Sequence, residues 1–149
     1  MKTVLFVCTG NTCRSPMAAA LANNIFASRG MSAVAASCGV FAIDDADASR
    51  NAVAAMENGW SVDISDHRAR IAREEYLQKA HIVIAMTAGH KNGLCSVYPQ
   101  YTDKIYAVRE FGGDCRDIDD PFGANLEIYQ ECAKQIEDFL ENFDWEGYL

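Results

Sequence analysis

Short unbroken apolar runs alternate along this chain with longer segments whose apolar residues recur at helical spacing, and that alternation admits few folds. Thr3–Val7 and Ile82-Val83-Ile84-Ala85-Met86 are continuous apolar runs, as strands covered on both faces require. Val34–Ser37 and Lys104–Val108 read as two further strands. Between them, Pro16 to about Arg29 is Ala-rich and helical. Pro16 suits a first turn, which has no use for the missing N–H, and Gly30 ends the segment. A second helix is expected around Ala48–Asn58, capped by Asp47 or Ser49 and stopped by Gly59. Arg73–Lys79 is a short helix, and Ala88 to about Val97 is another, weakened by Gly93. Asn125 to about Phe143 is a long amphipathic helix with Leu126, Tyr129, Ala133, Ile136, Leu140 and Phe143 on one face. This order predicts an α/β fold: a single three-layer domain over residues 1–149, with a four-stranded parallel sheet and helices on both faces. Ligands bind such sheets beyond the carboxyl ends of the strands, so a functional loop should follow a strand directly.

Charge and cysteine usage narrow the function classes. The 149 residues carry 13 Lys+Arg against 21 Asp+Glu, and the net charge of −8 repels nucleic-acid backbones. A small phosphate site stays open, because it needs local donors rather than global positive charge. No apolar run approaches the ~20 residues of a membrane-spanning helix. The N-terminal run breaks at Thr9-Gly10-Asn11, short of a secretory core of ~7–15 residues, so the expected compartment is the cytoplasm. The six cysteines, at 8, 13, 38, 95, 115 and 132, form no CxxC pair, so no zinc site is expected and the thiols should stay reduced. Nothing fixes the oligomeric state; a monomer is the default expectation.

The loop after the first strand, Cys8-Thr9-Gly10-Asn11-Thr12-Cys13-Arg14-Ser15-Pro16, fits Cys, five residues, Arg, Ser. A loop curling into a helix N-terminus points backbone N–H groups inward and forms an anion cradle. Gly10 should permit tight curvature and Asn11 a left-handed backbone. Arg14 can hold two phosphoryl oxygens with its planar fork. At the bottom of the cradle, the N–H groups, the helix dipole and Arg14 all favour Cys8 as a thiolate able to attack phosphorus in line. Ser15 can donate a hydrogen bond to that sulfur. A bare Cys…Arg spacing would be weak, but Gly, Asn, Arg-Ser and Pro accompany it at a strand-to-helix junction.

A thiolate nucleophile needs a proton donor for its leaving group. The best candidate lies in Asp119-Asp120-Pro121-Phe122-Gly123, where a carboxylate fixed by proline precedes a long helix and is placed to overhang a pocket.

Cys8–Pro16 followed by Met17-Ala18, together with Asp120-Pro121-Phe122-Gly123, resembles the low-molecular-weight protein tyrosine phosphatase family. The match spans essentially the whole chain. The resemblance implies that Cys8 is the nucleophile, Arg14 the phosphate clamp, and Asp120 the general acid and then the base for the hydrolytic water. It implies a phosphocysteine intermediate and phosphorylated protein substrates, with no metal or organic cofactor. Thr9, Gly10, Asn11, Thr12, Cys13 and Ser15 would line the substrate cradle, and Phe122 its apolar wall. Asn11, Ser15, Ser37 and His67 match positions that hold the loop by hydrogen bonds. Cys13 matches a second cysteine that can capture an oxidised nucleophile as a disulfide; from the residue alone, a small side chain that merely packs is equally good.

Thr12 narrows the resemblance. Tyrosine phosphatases of this type usually carry Ile or Leu there, whereas bacterial protein-arginine phosphatases carry Thr, whose hydroxyl suits a polar guanidinium. Together with the Met86-Thr87 strand end, this favours a protein phosphatase acting on phosphoarginine, with phosphotyrosine as the alternative. Two residues depart from common members: Ala19 replaces a frequent Glu, and Phe122 a frequent Tyr after Asp-Pro. An arsenate reductase shares the fold and loop but relays oxidation through closely spaced cysteines, and here only Cys95 lies in the right region. A catalytically silent binding module would not need Cys8, Arg14 and Asp120 together.

Overall fold

The computed structural model describes all 149 residues. Four strands, β1 (Lys2–Cys8), β2 (Ala33–Gly39), β3 (Ile82–Ala85) and β4 (Ile105–Ala107), form one sheet in the order β2-β1-β3-β4. Every neighbouring pair is parallel. The helices are α1 (Arg14–Ser28), α2 (Arg50–Trp60), α3 (Glu74–Lys79), α4 (Ala88–Val97), α5 (Leu126–Asn142) and α6 (Trp145–Tyr148). The alternation along β1 divides them. Val4, Phe6 and Cys8 belong to a core built with α1, α2 and α5, while Leu5 and Val7 belong to a second, smaller core with Leu77 of α3 and Leu94 of α4. A strand buried on both faces has no polar alternation, which is why its run is continuous. The expected three-layer α/β arrangement is therefore the observed one.

Several boundaries differ from the sequence reading, each for a tertiary reason. Helix α1 starts at Arg14, so Pro16 sits within its first turn rather than opening it. Strand β2 extends at both ends because each of its seven residues pairs with β1, overriding the weak strand preference of Ala, Ser and Gly. Gly59 does not stop α2. The helix continues to Trp60, whose indole N–H donates to Glu137 on α5, and Ser61 takes the left-handed turn at φ 56°. Ser49 occupies the N-cap position of α2 but makes no side-chain cap bond. Strand β4 is only three residues long, a short edge. Short 3₁₀ segments at Pro99–Lys104 and Val108–Phe111, and the short α6, carry no periodic signal. Trp145 of α6 is nonetheless buried edge-on against Phe26, with ring centroids 4.9 Å apart. No helix is long and apolar enough to cross a membrane.

Candidate active site

Strand β1 delivers Cys8 to the carboxyl edge of the sheet, and the chain from Thr9 to Cys13 turns back into α1. The carbonyls of this loop are tied to the surrounding protein. Cys8 O accepts from Val40 N at 3.0 Å, Thr9 O from Phe41 N at 3.0 Å, Thr12 O from Ser49 N at 2.9 Å and Cys13 O from Met17 N at 3.2 Å. His67 Nε2 donates to Asn11 O at 2.7 Å. By contrast, the backbone N–H groups from Thr9 to Ser15 donate to no protein acceptor. Carbonyls held outside and N–H groups left for the concave side make an anion nest at a helix N-terminus.

The left-handed residue in the loop is Asn11, at φ 56°, and not Gly10. A Cβ on Gly10 would meet only Thr12 Oγ1 at 3.7 Å, an ordinary contact. The expectation that Gly10 supplies the curvature is therefore corrected. The glycine that the loop requires is Gly39, where a Cβ would collide with the carbonyl oxygen of Thr9 and lie 2.9 Å from Asn11 N. Gly39 pairs with Cys8 at the end of β2, so the loop rests on its bare backbone.

Asn11 is fully buried and works as a bracket. Its Nδ2 donates to Ser15 Oγ at 2.8 Å and to Ser37 Oγ at 2.9 Å. Its Oδ1 accepts from Arg70 N at 3.0 Å. Arg70 Nε in turn donates to Ser37 O at 2.9 Å. Ser15 Oγ lies 2.9 Å from Cys8 Sγ. Ser15 Oγ accepts the Asn11 amide, and of the two acceptors open to its proton the Cys8 sulfur at 2.9 Å is nearer than Cys38 O at 3.4 Å.

Arg14 is 4% exposed. Its Nη1 donates to Ile118 O at 2.9 Å and its Nη2 to Thr9 Oγ1 at 3.3 Å. Asp120 Oδ2 stands 3.6 Å from Nη2. The acid is carried there by a segment anchored to the end of β3, where Ile118 N donates to Met86 O at 2.9 Å and Ala88 N donates to Asp117 Oδ1 at 3.0 Å. Asp120 Oδ1 accepts from Phe122 N at 3.0 Å, which closes a tight turn. Phe122 and Phe41 stand exposed, at 77% and 79%. The Thr12 hydroxyl is 3.7 Å from Cys13 Sγ, a long contact that leaves it capacity for another partner.

Cys13 Sγ lies 2.9 Å from Ser49 Oγ and 3.4 Å from the Tyr129 hydroxyl. This explains the missing cap on α2: Ser49 spends its hydroxyl on the loop. Burial, and next the contact with Cys13, push the Tyr129 phenol up to about 12. Burial likewise pushes the Cys38 and Cys132 thiols up to about 12. His90, which carried no signal in the sequence, lies beside the site with Nε2 2.8 Å from Thr9 Oγ1. Burial and then the Arg14 guanidinium push it down to about 4. The structure thus brings Cys8, Asn11, Cys13, Arg14, Ser15, Ser37, His67 and Asp120 into one constellation, to which Gly39, Ser49, Arg70, His90 and Tyr129 are added.

A thiol beside a hydroxyl donor, a nest of N–H groups, a buried guanidinium and a carboxylate at its edge can bind a phosphoryl group and attack it. Known proteins agree. Residues 3–146 match the family model described as low molecular weight phosphotyrosine protein phosphatase. A protein-arginine-phosphatase of Bacillus subtilis is 37% identical over 139 residues, 92% of this chain and 91% of that protein. A low molecular weight protein tyrosine phosphatase from T. tengcongensis has a crystal structure that superposes with a TM-score of 0.91, at 45% identity over 95% of this chain and 96% of that one. A YwlE arginine phosphatase variant with a phosphorylated active-site serine superposes with a TM-score of 0.88, at 36% identity over 93% and 90% of the two chains.

Proposed function

The chain belongs to the low molecular weight phosphotyrosine protein phosphatase family, and within that family we propose that it hydrolyses phosphoarginine in proteins through a phosphocysteine intermediate. The observation that carries the chemistry is the loop itself, whose carbonyls at Cys8, Thr9, Asn11, Thr12 and Cys13 are bonded to the surrounding chain while its N–H groups and Arg14 remain for a phosphate. The phosphoryl oxygens take the N–H groups and the Arg14 fork. Cys8 Sγ attacks phosphorus in line, an S–P bond forms, the bond to the substrate nitrogen breaks, and Asp120 gives its proton to the departing guanidine. Water then attacks the phosphocysteine. Asp120 takes its proton, phosphate leaves, and the Ser15 hydroxyl stabilises the regenerated sulfur anion. A phosphorylated active-site serine in a related arginine phosphatase supports the covalent step. Cys13 is proposed to capture an oxidised Cys8 as a disulfide, and the whole chain to act as one phosphatase unit.

Thr12 supports phosphoarginine over phosphotyrosine. Its hydroxyl can accept from a guanidinium edge, where an aliphatic side chain offers only hydrocarbon to an aromatic ring. Identity to a protein-arginine-phosphatase over most of the chain points the same way. The 45% identity to a tyrosine phosphatase keeps phosphotyrosine as the second reading. The test is kcat/KM on phosphoarginine and phosphotyrosine peptides, in the parent and in Thr12→Ile. Losing one hydrogen bond to a charged group should cut phosphoarginine turnover roughly tenfold or more. The added hydrocarbon should favour the tyrosyl ring by about 1 kcal/mol. A parent that prefers phosphotyrosine, with a ratio unmoved by the substitution, makes the chain a tyrosine phosphatase.

A further inference from the structure

Arg14 can clamp a phosphate only if its guanidinium is aimed, and a long flexible side chain does not aim itself. Besides the Asp120 carboxylate, 3.6 Å from Nη2, two groups hold it by hydrogen bonds: the carbonyl of Ile118 at Nη1 and the Thr9 hydroxyl at Nη2. Thr9 is itself a rotatable hydroxyl, so it restrains Arg14 only as far as something restrains Thr9. That something is His90. Its Nε2 lies 2.8 Å from Thr9 Oγ1, and its Nδ1 lies 3.0 Å from Thr87 Oγ1. Thr87 is the N-cap of α4, and its hydroxyl also accepts from the backbone N–H of His90 at 3.2 Å. The ring is thus held at both nitrogens and at its own backbone, and it is buried. A chain of contacts runs from the end of β3, through Thr87, His90 and Thr9, to the guanidinium.

We propose that His90 is a positioning residue for Arg14, acting through Thr9 to hold the guanidinium in the orientation that receives a phosphoryl group. The inference rests on the phosphatase reading of the site. The imidazole suits the task in its neutral form, which carries one donor and one acceptor and so can link two hydroxyls without adding a positive charge beside Arg14. Burial and the Arg14 charge keep it neutral at pH 7.

Two purely structural roles compete with this: a filler under α4, and a support for its first turn. A double-mutant cycle separates them. Binding of inorganic phosphate to the full chain is measured by calorimetry for the parent, Thr9→Val, His90→Leu and the double variant. Each single substitution should weaken phosphate binding about three- to tenfold, the worth of one hydrogen bond. The double should be no weaker than the weaker single within about twofold, because both remove the same link. His90→Gln, whose amide can reach the position of Nε2, should recover most of the loss. Losses that multiply in the double variant, or phosphate affinity unchanged in His90→Leu while only its thermal stability falls, overturn the proposal. Should His90→Leu fail to fold, His90→Asn, which can reach Thr87 but not Thr9, takes its place in the cycle. Hydrolysis of an aryl phosphate by the parent is read separately. Phosphate binding with the predicted coupling but no hydrolysis overturns the phosphatase reading and leaves the role of His90 standing, while a parent that binds no phosphate overturns both.

Discussion

Replacing Asn11 by Ala should be among the most damaging single changes in the chain, and the structure supplies the magnitude. The side chain is fully buried and makes three hydrogen bonds, to Ser15 Oγ, Ser37 Oγ and Arg70 N. At about 1 kcal/mol each, their loss costs about 3 kcal/mol. Alanine must also hold φ 56°, which adds on the order of 1 kcal/mol. The sum, about 4 kcal/mol, is a large part of the 5–15 kcal/mol that holds a typical domain. With a urea m-value of about 2 kcal/mol/M, the unfolding midpoint should drop by about 2 M. Asn11→Gly separates the two contributions, since glycine tolerates the left-handed backbone and loses only the hydrogen bonds. It should fall about 1 kcal/mol short of the alanine variant. The assay is urea unfolding followed by circular dichroism, alongside aryl phosphate hydrolysis, which should collapse in both variants because Ser15 loses its bracket. An alanine variant within about 1 kcal/mol of the parent would refute the reasoning, and equal effects of alanine and glycine would remove the backbone contribution.

Gly39→Ala should leave the fold intact but displace the loop, because the new methyl meets the Thr9 carbonyl and Asn11 N; an aryl phosphate kcat/KM within twofold of the parent would count against this. Asp120→Ala should slow hydrolysis ~10²–10⁴-fold, and less for leaving groups that need little protonation; a larger loss in Asp119→Ala would assign the acid to the neighbour. Burial lowers His67 and His90 below the ordinary histidine value of 6.5, so the unfolded chain binds protons that the folded one resists. Stability should therefore be level between about pH 7 and 8 and fall as pH drops through 6.5 toward 4, and His90→Gln should flatten that slope by up to one proton.

What was legible in the sequence depended on whether the cause was local. Strands β1 and β3 read directly, because burial on both faces leaves a continuous apolar run. The loop from Cys8 to Arg14 read almost completely, since the N–H nest, the helix N-terminus and the arginine all arise from consecutive residues. Asn11 was legible as a left-handed residue for the same reason. Gly39 was not. Its requirement comes from lying opposite Cys8 in the parallel register of β1 and β2, with the whole of α1 between them in the chain. Ser49 looked like a helix cap, and locally it is placed as one. Only the approach of Cys13 shows where its hydroxyl goes. His90 had no signal at all, because a single histidine in a helix is neither periodic nor part of a motif.

The acid shows the same division within one segment. Two adjacent aspartates precede Pro121, and local chemistry alone does not say which one turns inward. The choice is made by Ile118, two residues earlier. Its side chain is buried in the main core, its N–H is bound to the end of β3, and its carbonyl takes Arg14. Counting from that anchor, Asp120 meets the guanidinium at 3.6 Å, while the Asp119 carbonyl faces Cys132 of α5. Arg14 and Asp120, the proposed clamp and acid, are thus registered to each other through one backbone residue. An acid on a wholly independent loop would have to find the phosphate by chance of closure. Here the carbonyl that aims Arg14 belongs to the same short segment that carries Asp120, so a shift of that segment moves both groups together. Substitutions that loosen Ile118, such as Ile118→Ala, should therefore weaken phosphate binding and proton donation at once, and be visible as a fall in kcat with a rise in KM. A fall in kcat alone would show that the clamp is aimed independently of the acid.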